Sequence, residues 1–354
     1  MSSDADDILF ERRGTAGLVT LNRPKALNAV THGMVRALRR QLDAWAEDGA
    51  VSRVVVMANG ERAFSAGGDI RALYDQGKAG KQAEALEFFR EEYSLNSAIK
   101  KYPKPYVSLI DGIVMGGGVG ISIHGSHRVA GDRYQFAMPE VGIGFFPDVG
   151  ATWALPRLPG KAGTYLALTG ERLRTADAVA AGAATHHVRS DRFADLRDAL
   201  CGAVPVDAVL SAFAEPPAGG DVTELRPVID RLFAPARLED VLSGLDREAE
   251  SGSDNAAWAQ KTADTIRAKS PLSLKIALEQ MQRGSQCPFD ECMRIEFRIV
   301  SRVVYGHDLY EGVRAVIVDK DNAPRWQPAS IEAVTDAEVA RHFELLGKDE
   351  LVLS

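Results

Sequence analysis

Short, unbroken apolar runs alternate with helix-spaced apolar stripes through the first half of this chain. Leu18-Val19-Thr20-Leu21, Val54-Val55-Val56-Met57 and Tyr106-Val107-Ser108-Leu109-Ile110 are runs of that kind. They are too short for helices and lack a polar alternate face, the pattern of strands covered on both sides. Arg128-Val129-Ala130 and Gln135-Phe136-Ala137 read as further short strands. Between the first two runs, Met34, Leu38, Leu42 and Trp45 recur at helical spacing behind Thr31, whose hydroxyl can cap a helix start. The spacing predicts further helices over 69–76 and 82–100, and one from the glycines near 118 through about His124. Asn22-Arg23-Pro24 stops the first strand, and Pro103 with Pro105 stops the long helix. In that long helix the stripe is Ala85, Phe88, Glu92, Leu95 and Ile99. Glu92 therefore lies on the apolar face while Glu91 points off it. An acid on an apolar stripe costs free energy unless it is paired or used.

This alternation continues to about residue 190 and predicts an α/β core. Beyond it strand signals fade. Helices are expected over 225–232, 238–249, 271–283 and 289–304, with Ser270 and Pro271 marking one start clearly. The Pro- and Gly-rich stretch 215–220 is the best linker candidate. The expected division is a core over 8–214 and a mainly helical region over 221–354.

Composition narrows the choice of chemistry. At 354 residues, with 45% hydrophobic and 26% charged residues, the chain is ordinary globular material. Lys plus Arg number 42 against 49 Asp plus Glu, a net charge of −7. A protein built to hold nucleic acid usually carries a basic surplus, so no nucleic-acid partner is expected. Three cysteines are too few and too odd for a disulfide framework, and Cys287 and Cys292 lack the spacing of a zinc pair; buried free thiols are expected at these two and at Cys201. No apolar run is long enough to span a membrane, and the acidic N-terminus lacks the basic-then-apolar order of a signal peptide. A cytoplasmic protein in a reducing compartment is the expectation.

Two glycine clusters, Ala66-Gly67-Gly68 and Gly116-Gly117-Gly118, each follow a buried strand and precede a helix. Amides at a helix start are unpaired and carry partial positive charge. Two of them converging on one oxygen would form an oxyanion hole; alternatively these glycines serve only tight turns and close packing. A dinucleotide fingerprint fails, because Ile121 stands where its third glycine belongs, and a P-loop fails for want of its Gly-Lys-Ser/Thr ending. Glu140 and Asp148 sit among Val141, Ile143, Phe145, Phe146 and Val149. Acids in apolar surroundings hold their protons tightly and can act as acids or bases; a helix-capping role is the alternative for each. There is no Gly-x-Ser-x-Gly elbow and no His-Glu-x-x-His pattern, and His186-His187 at a strand end gives no reason to expect a metal.

With these residues in place, the sequence resembles the crotonase (enoyl-CoA hydratase/isomerase) superfamily. The segments that carry the resemblance are Asn22 to Asn28, Phe64 to Ile70 and Met115 to Gly120. Phe88 to Tyr93, Ala137 to Glu140, Gly144 to Gly150 and Leu155 to Gly160 narrow it to the branch that hydrolyses short 3-hydroxyacyl-CoA thioesters. The match is strong over about residues 8 to 190 and weaker towards Trp326. It implies a crotonase-like spiral of β-β-α units with a helical C-terminal region. It also implies a coenzyme A thioester as substrate, with 3-hydroxyisobutyryl-CoA of valine catabolism foremost, and no separate cofactor. A homo-oligomer is compatible with it. Carried over residue by residue, the resemblance makes Gly68 and Gly117 the oxyanion-hole donors, Glu140 the catalytic glutamate and Asp148 its partner. It places Glu92 on the acyl group, and Lys25, Ala26, Ala66, Asp69 and Ile70 along coenzyme A, with Lys320 near its phosphates. One departure favours hydrolysis over hydration. The hydratases carry a second glutamate three residues after the oxyanion glycine, and here that position is Gly120. A hydratase or isomerase of the same superfamily, and a catalytically silent CoA-binding protein, are the alternatives.

Overall fold

A computed structural model describes residues 4–217 and 219–353. Among the described residues ten strands form two sheets: β1 (Ile8–Arg13), β2 (Ala16–Leu21), β3 (Arg53–Ala58), β4 (Ala63–Ser65), β5 (Tyr106–Ile110), β6 (Ile113–Met115), β7 (His127–Ala130), β8 (Gln135–Ala137), β9 (Leu173–Arg174) and β10 (His186–His187). The larger sheet has the order β1-β2-β3-β5-β7-β10, and the smaller β4-β6-β8-β9. Only β1 with β2 and β8 with β9 pair antiparallel. Successive strands go to alternate sheets: β3 then β4, β5 then β6, β7 then β8, each pair followed by a helical turn. That repetition is the β-β-α spiral.

The continuous apolar runs are explained by what covers the large sheet. Val54 and Val56 face the principal core, while Val55 between them joins a second cluster on the opposite face. There Leu18, Val107, Leu109 and Val129 meet Leu196 and Leu200 of the helix Phe193–Leu200 and Val209 and Leu210 of the helix Val206–Phe213. Both faces are thus dry, as parallel sheets require. The helix His32–Glu47 starts where Thr31 accepts a bond from the Met34 amide at 3.2 Å, and it buries Met34, Leu38, Leu42 and Trp45. Each such side chain contributes about 1.5–3 kcal/mol of burial. The long helix spans Gln82–Lys100 with the whole expected stripe buried, Glu92 included. Glu91, off the stripe, pairs instead with Arg36 and His32.

Several expectations are corrected. The helix after the second glycine cluster is short, Gly117–Gly120. Ser122 bonds back to the Gly118 and Val119 carbonyls, and Gly125 lies tight against Tyr106, so the chain turns before His124. The helix expected at 225 begins at Asp221 and carries Pro227 inside it. Cys201 and Cys292 are buried free thiols, but Cys287 is only half-buried. The proposed linker falls partly outside the described residues, at Ala218.

Most of the described residues beyond 221 fold as helices, with an irregular stretch over 319–335, and the helices' apolar faces join the principal core. Leu274, Ile276, Phe297 and Val300 belong to the same cluster as Val19 and Phe64. The helix Phe289–Val303 packs directly on Gln82–Lys100. Ser270 caps the helix Pro271–Gly284, and its amide bonds to the Val141 carbonyl at 3.2 Å, beside Glu140. Among the described residues no helix is long and apolar enough to cross a membrane.

Candidate active site

Three parallel strands of the small sheet, β4, β6 and β8, end at the same edge. In open α/β sheets this carboxyl edge is where ligands bind. The three strands lead into the segments that the sequence singles out: Gly67-Gly68 after β4, Gly116-Gly117 after β6, and Glu140 after β8. Because β6 is the middle strand of the three, Gly117 stands between Gly68 and Glu140.

The backbone there has a shape that glycine permits. Gly67 and Gly116 have φ of +116° and +44°, left-handed values that disfavour other residues. Val30 bridges this segment by donating to the Gly67 carbonyl and accepting from the Asp69 amide, which turns the Gly68 amide the other way. Gly117 opens a helix, so its amide has no intrahelical acceptor. A Cβ built on Gly117 would lie 3.3 Å from the Gly68 nitrogen and 2.8 Å from Glu92 Oε1. One built on Gly116 would lie 3.3 Å from Glu140 Oε1. The two amides and the two carboxyl groups therefore converge on one small space.

That space is a cavity of about 340 Å³ lined by Ala66, Gly67, Gly68, Gly117, Glu92, Glu140 and Asp148, with Phe88, Phe89, Phe145, Val316 and Ile317 as apolar walls. Glu140 Oε2 and Glu92 Oε1 are buried without a hydrogen-bond partner. Asp148 Oδ2 accepts from the Tyr93 hydroxyl at 2.9 Å. Behind it Glu296, fully buried on the helix Phe289–Val303, accepts from the Gly150 amide at 2.7 Å and the Thr152 amide at 2.9 Å.

Four buried acids in one place hold their protons tightly. Burial, then the neighbouring Asp148, raises Glu140 well above the carboxylate range. Burial, then Asp148 and Glu296, does the same to Glu92. Asp148 is pushed up to about 7 by burial, against the Tyr93 bond. Glu296 is pushed up to about 8 by burial and Asp148, against its amide donors. Each acid binds its proton more tightly folded than unfolded. The stability that Asp148 and Glu296 lend in this way is complete below about pH 4, the ordinary carboxylate range, and is lost as pH rises through about 7 and 8. Removing one of the charges should weaken that trend. The melting temperature of Glu92→Gln is expected to gain on the wild type between pH 5 and pH 8.5, by on the order of 2 °C; parallel melting curves across that range would contradict the assignment.

The structure brings together Gly68, Gly117, Glu92, Glu140 and Asp148, with Ala66 and Ile70 on the cavity wall. It does not bring Lys25, Ala26, Asp69 or Lys320 to that wall. Lys25 and Ala26 lie on an exposed turn, and the chain just beyond them reaches the site where the Leu27 carbonyl accepts from the Ala66 amide. Asp69 is occupied as the cap of the helix Ile70–Lys78 and as a partner of Arg23. Two functional candidates were missed. Glu296 sits on a buried stripe with Phe289, Cys292, Met293 and Val300, the same signal that marked Glu92. Lys269 lines the cavity, and burial pulls its ammonium below its usual value; its position ahead of the Ser270 cap gave no sign of this. Among the described residues no set of three or more His, Cys, Asp or Glu side chains is arranged to hold a metal.

Position 120 has no room for an acid. A Cβ there would lie 2.7 Å from Val149 Cβ and 2.8 Å from Asn96 Nδ2. Gly120 is buried, and a carboxylate introduced there would be both overpacked and unpaired.

An alternating two-sheet spiral with converging glycine amides at the edge of the small sheet defines a protein of the crotonase fold, and the chain belongs to the enoyl-CoA hydratase/isomerase family, whose profile matches residues 16–343. More narrowly, it is 44% identical to the protein named 3-hydroxyisobutyryl-CoA hydrolase, mitochondrial, of Danio rerio, over all of this chain and 94% of that one. The protein of the same name from Homo sapiens is 42% identical over 98% of this chain and 91% of that one. Among solved structures, one titled a carnitinyl-CoA dehydratase from Mycobacterium thermoresistibile superposes with a TM-score of 0.92 at 42% identity, covering 98% of this chain and 99% of that one. Another, titled an enoyl-CoA hydratase from Rhodobacter sphaeroides 2.4.1, gives 0.91 at 40% identity over 98% and 100%.

Proposed function

We propose that this protein hydrolyses 3-hydroxyisobutyryl-CoA to 3-hydroxyisobutyrate and coenzyme A, a step of valine catabolism. The observation that carries the reading is the pairing of two free, converging amides with an unpartnered, buried Glu140 carboxyl group beside them, and with no acid at position 120. The full-length relatives named as hydrolases support it.

The Gly68 and Gly117 amides receive the thioester carbonyl. As that carbon becomes tetrahedral, charge gathers on the oxygen between them, and fixed donors stabilise it more than they stabilise the planar ground state. Glu140, once it has given up the proton that burial makes it hold, attacks the carbonyl as carboxylate or draws a proton from the attacking water. The carbon–sulfur bond breaks, coenzyme A leaves as its thiol, and water supplies the hydroxyl of the acid product. No metal or redox group enters these steps. Asp148, held by Tyr93, and Glu92 face the acyl pocket and take its hydroxyl.

The titles of the two similar structures favour a second reading, hydration of an enoyl-CoA. Against it stands the crowding around Gly120, which leaves hydration without its second acid. A cytoplasmic location belongs to this proposal; the names of the relatives say mitochondrial, and fractionation of cells expressing the native chain decides between them.

Substrate comparison tests the acyl pocket. Isobutyryl-CoA, lacking the hydroxyl, should fall in kcat/KM by on the order of 10²-fold, because buried polar groups left unpaired cost about 1–3 kcal/mol. 3-Hydroxypropionyl-CoA, one methyl smaller, should fall by about 10- to 200-fold. Equal rates with isobutyryl-CoA would remove Glu92 and Asp148 from hydroxyl recognition.

A further inference from the structure

Asp148 opens a turn that its own sequence opposes. The Ala151 amide donates to the Asp148 carbonyl at 2.9 Å, closing a four-residue turn over 148–151. Both central residues have positive φ, +52° at Val149 and +89° at Gly150. Turns with two positive φ values favour Gly, Asn and Asp. A β-branched residue at such a value is an outlier that persists only where its surroundings impose it.

The surroundings do impose it, at a single peptide group. The Val149 carbonyl faces His124 Nε2 at 2.7 Å, and the amide of the same peptide, that of Gly150, donates to Glu296 Oε2 at 2.7 Å. The other oxygen of Glu296 takes the Thr152 amide, and Gln280 donates to the Pro147 carbonyl and to Thr152 Oγ1. His124 Nδ1 is buried with no partner, so the ring's proton belongs on Nε2, where it donates to the carbonyl. Neither His124 nor Glu296 lines the cavity.

We infer that Glu296 and His124 are positioning residues that clamp the Val149–Gly150 peptide from its two ends and so hold Asp148 in the cavity. Resting on the proposed hydrolysis, this adds to it a way in which a C-terminal helix that does not line the cavity holds an acid that does. It also accounts for a fully buried acid that has no place in the chemical steps.

The test is a rescue. Glu296→Gln keeps the size of the side chain but only one acceptor oxygen, and should lower kcat about tenfold or more with CoA binding unchanged. Adding Val149→Gly supplies a residue that adopts the turn without being forced. In the Glu296→Gln background, and likewise in His124→Ala, Val149→Gly is expected to raise kcat. Its own effect in the wild-type background provides the reference for the double-mutant cycle. If Val149 and Glu296 serve packing alone, the two losses simply add, and that outcome overturns the inference. Should the wild-type protein release no thiol at all, the proposed reaction fails. The clamp is then read from melting temperature, where Val149→Gly should again be less damaging in Glu296→Gln than in the wild type. Additive melting losses overturn it whatever the reaction.

Discussion

Glu140→Gln should all but abolish thiol release while the protein still folds and binds free CoA. Glutamine matches glutamate in size, so the cavity wall keeps its shape. Its amide can neither attack a carbonyl nor take a proton from water. Positioned bases contribute about 10²–10⁴-fold, and a nucleophile more, so a loss of at least about 10³-fold in kcat is expected. Glu140 Oε2 is buried without a partner, and its carboxyl group is held well above its ordinary range by burial and by Asp148. Neutralising it therefore removes a buried acid from a crowd of acids, and the melting temperature at pH 8 should hold or rise. The expected pattern is a dead enzyme that is no less stable. Near-normal turnover in this variant would take Glu140 out of the chemistry.

Gly117→Ala should cost about 10²–10³-fold in kcat, the loss expected for one oxyanion donor. Gly117 lies in a helical turn without a positive φ, so alanine is acceptable to the backbone. What alanine takes is space. Its methyl would sit 2.8 Å from Glu92 Oε1 and 3.3 Å from the Gly68 nitrogen, where the thioester oxygen must lie. Affinity for free CoA, which carries no thioester oxygen to place there, should change little. Gly116→Ala is the contrasting variant. Its φ of +44° makes the backbone strained, so that change should lower stability as well as rate. A Gly117→Ala enzyme with wild-type kcat would show that the carbonyl binds elsewhere.

Much of this site is legible in the sequence alone, because its signals are local. Glu92 is out of place on an apolar stripe, and it is buried in the cavity. Glu140 and Asp148 are acids among aromatic and branched side chains, and both are buried there. The glycine clusters lie between strand and helix signals. Their convergence is not legible, since it depends on β4 and β6, strands of three residues each, too short to show a period. Glu296 carries the same local signal as Glu92 yet lies 146 residues from its partner Gly150, a separation that pattern alone does not bridge. Lys25, Ala26 and Asp69 came from resemblance alone, and the cavity wall does not include them. The unbroken runs of β3 and β5 do announce a sheet covered on both faces, because Val55 and Val107 face a second cluster behind it.

The most direct measurement tracks two signals in parallel on one preparation of the protein: free thiol released from 3-hydroxyisobutyryl-CoA, and the conjugated absorbance of crotonyl-CoA. Thiol should appear rapidly from the first while the second stays unchanged. Loss of the crotonyl-CoA absorbance with no thiol from either substrate would contradict the hydrolase account, and an acid replacing the one missing at Gly120 would then have to be found.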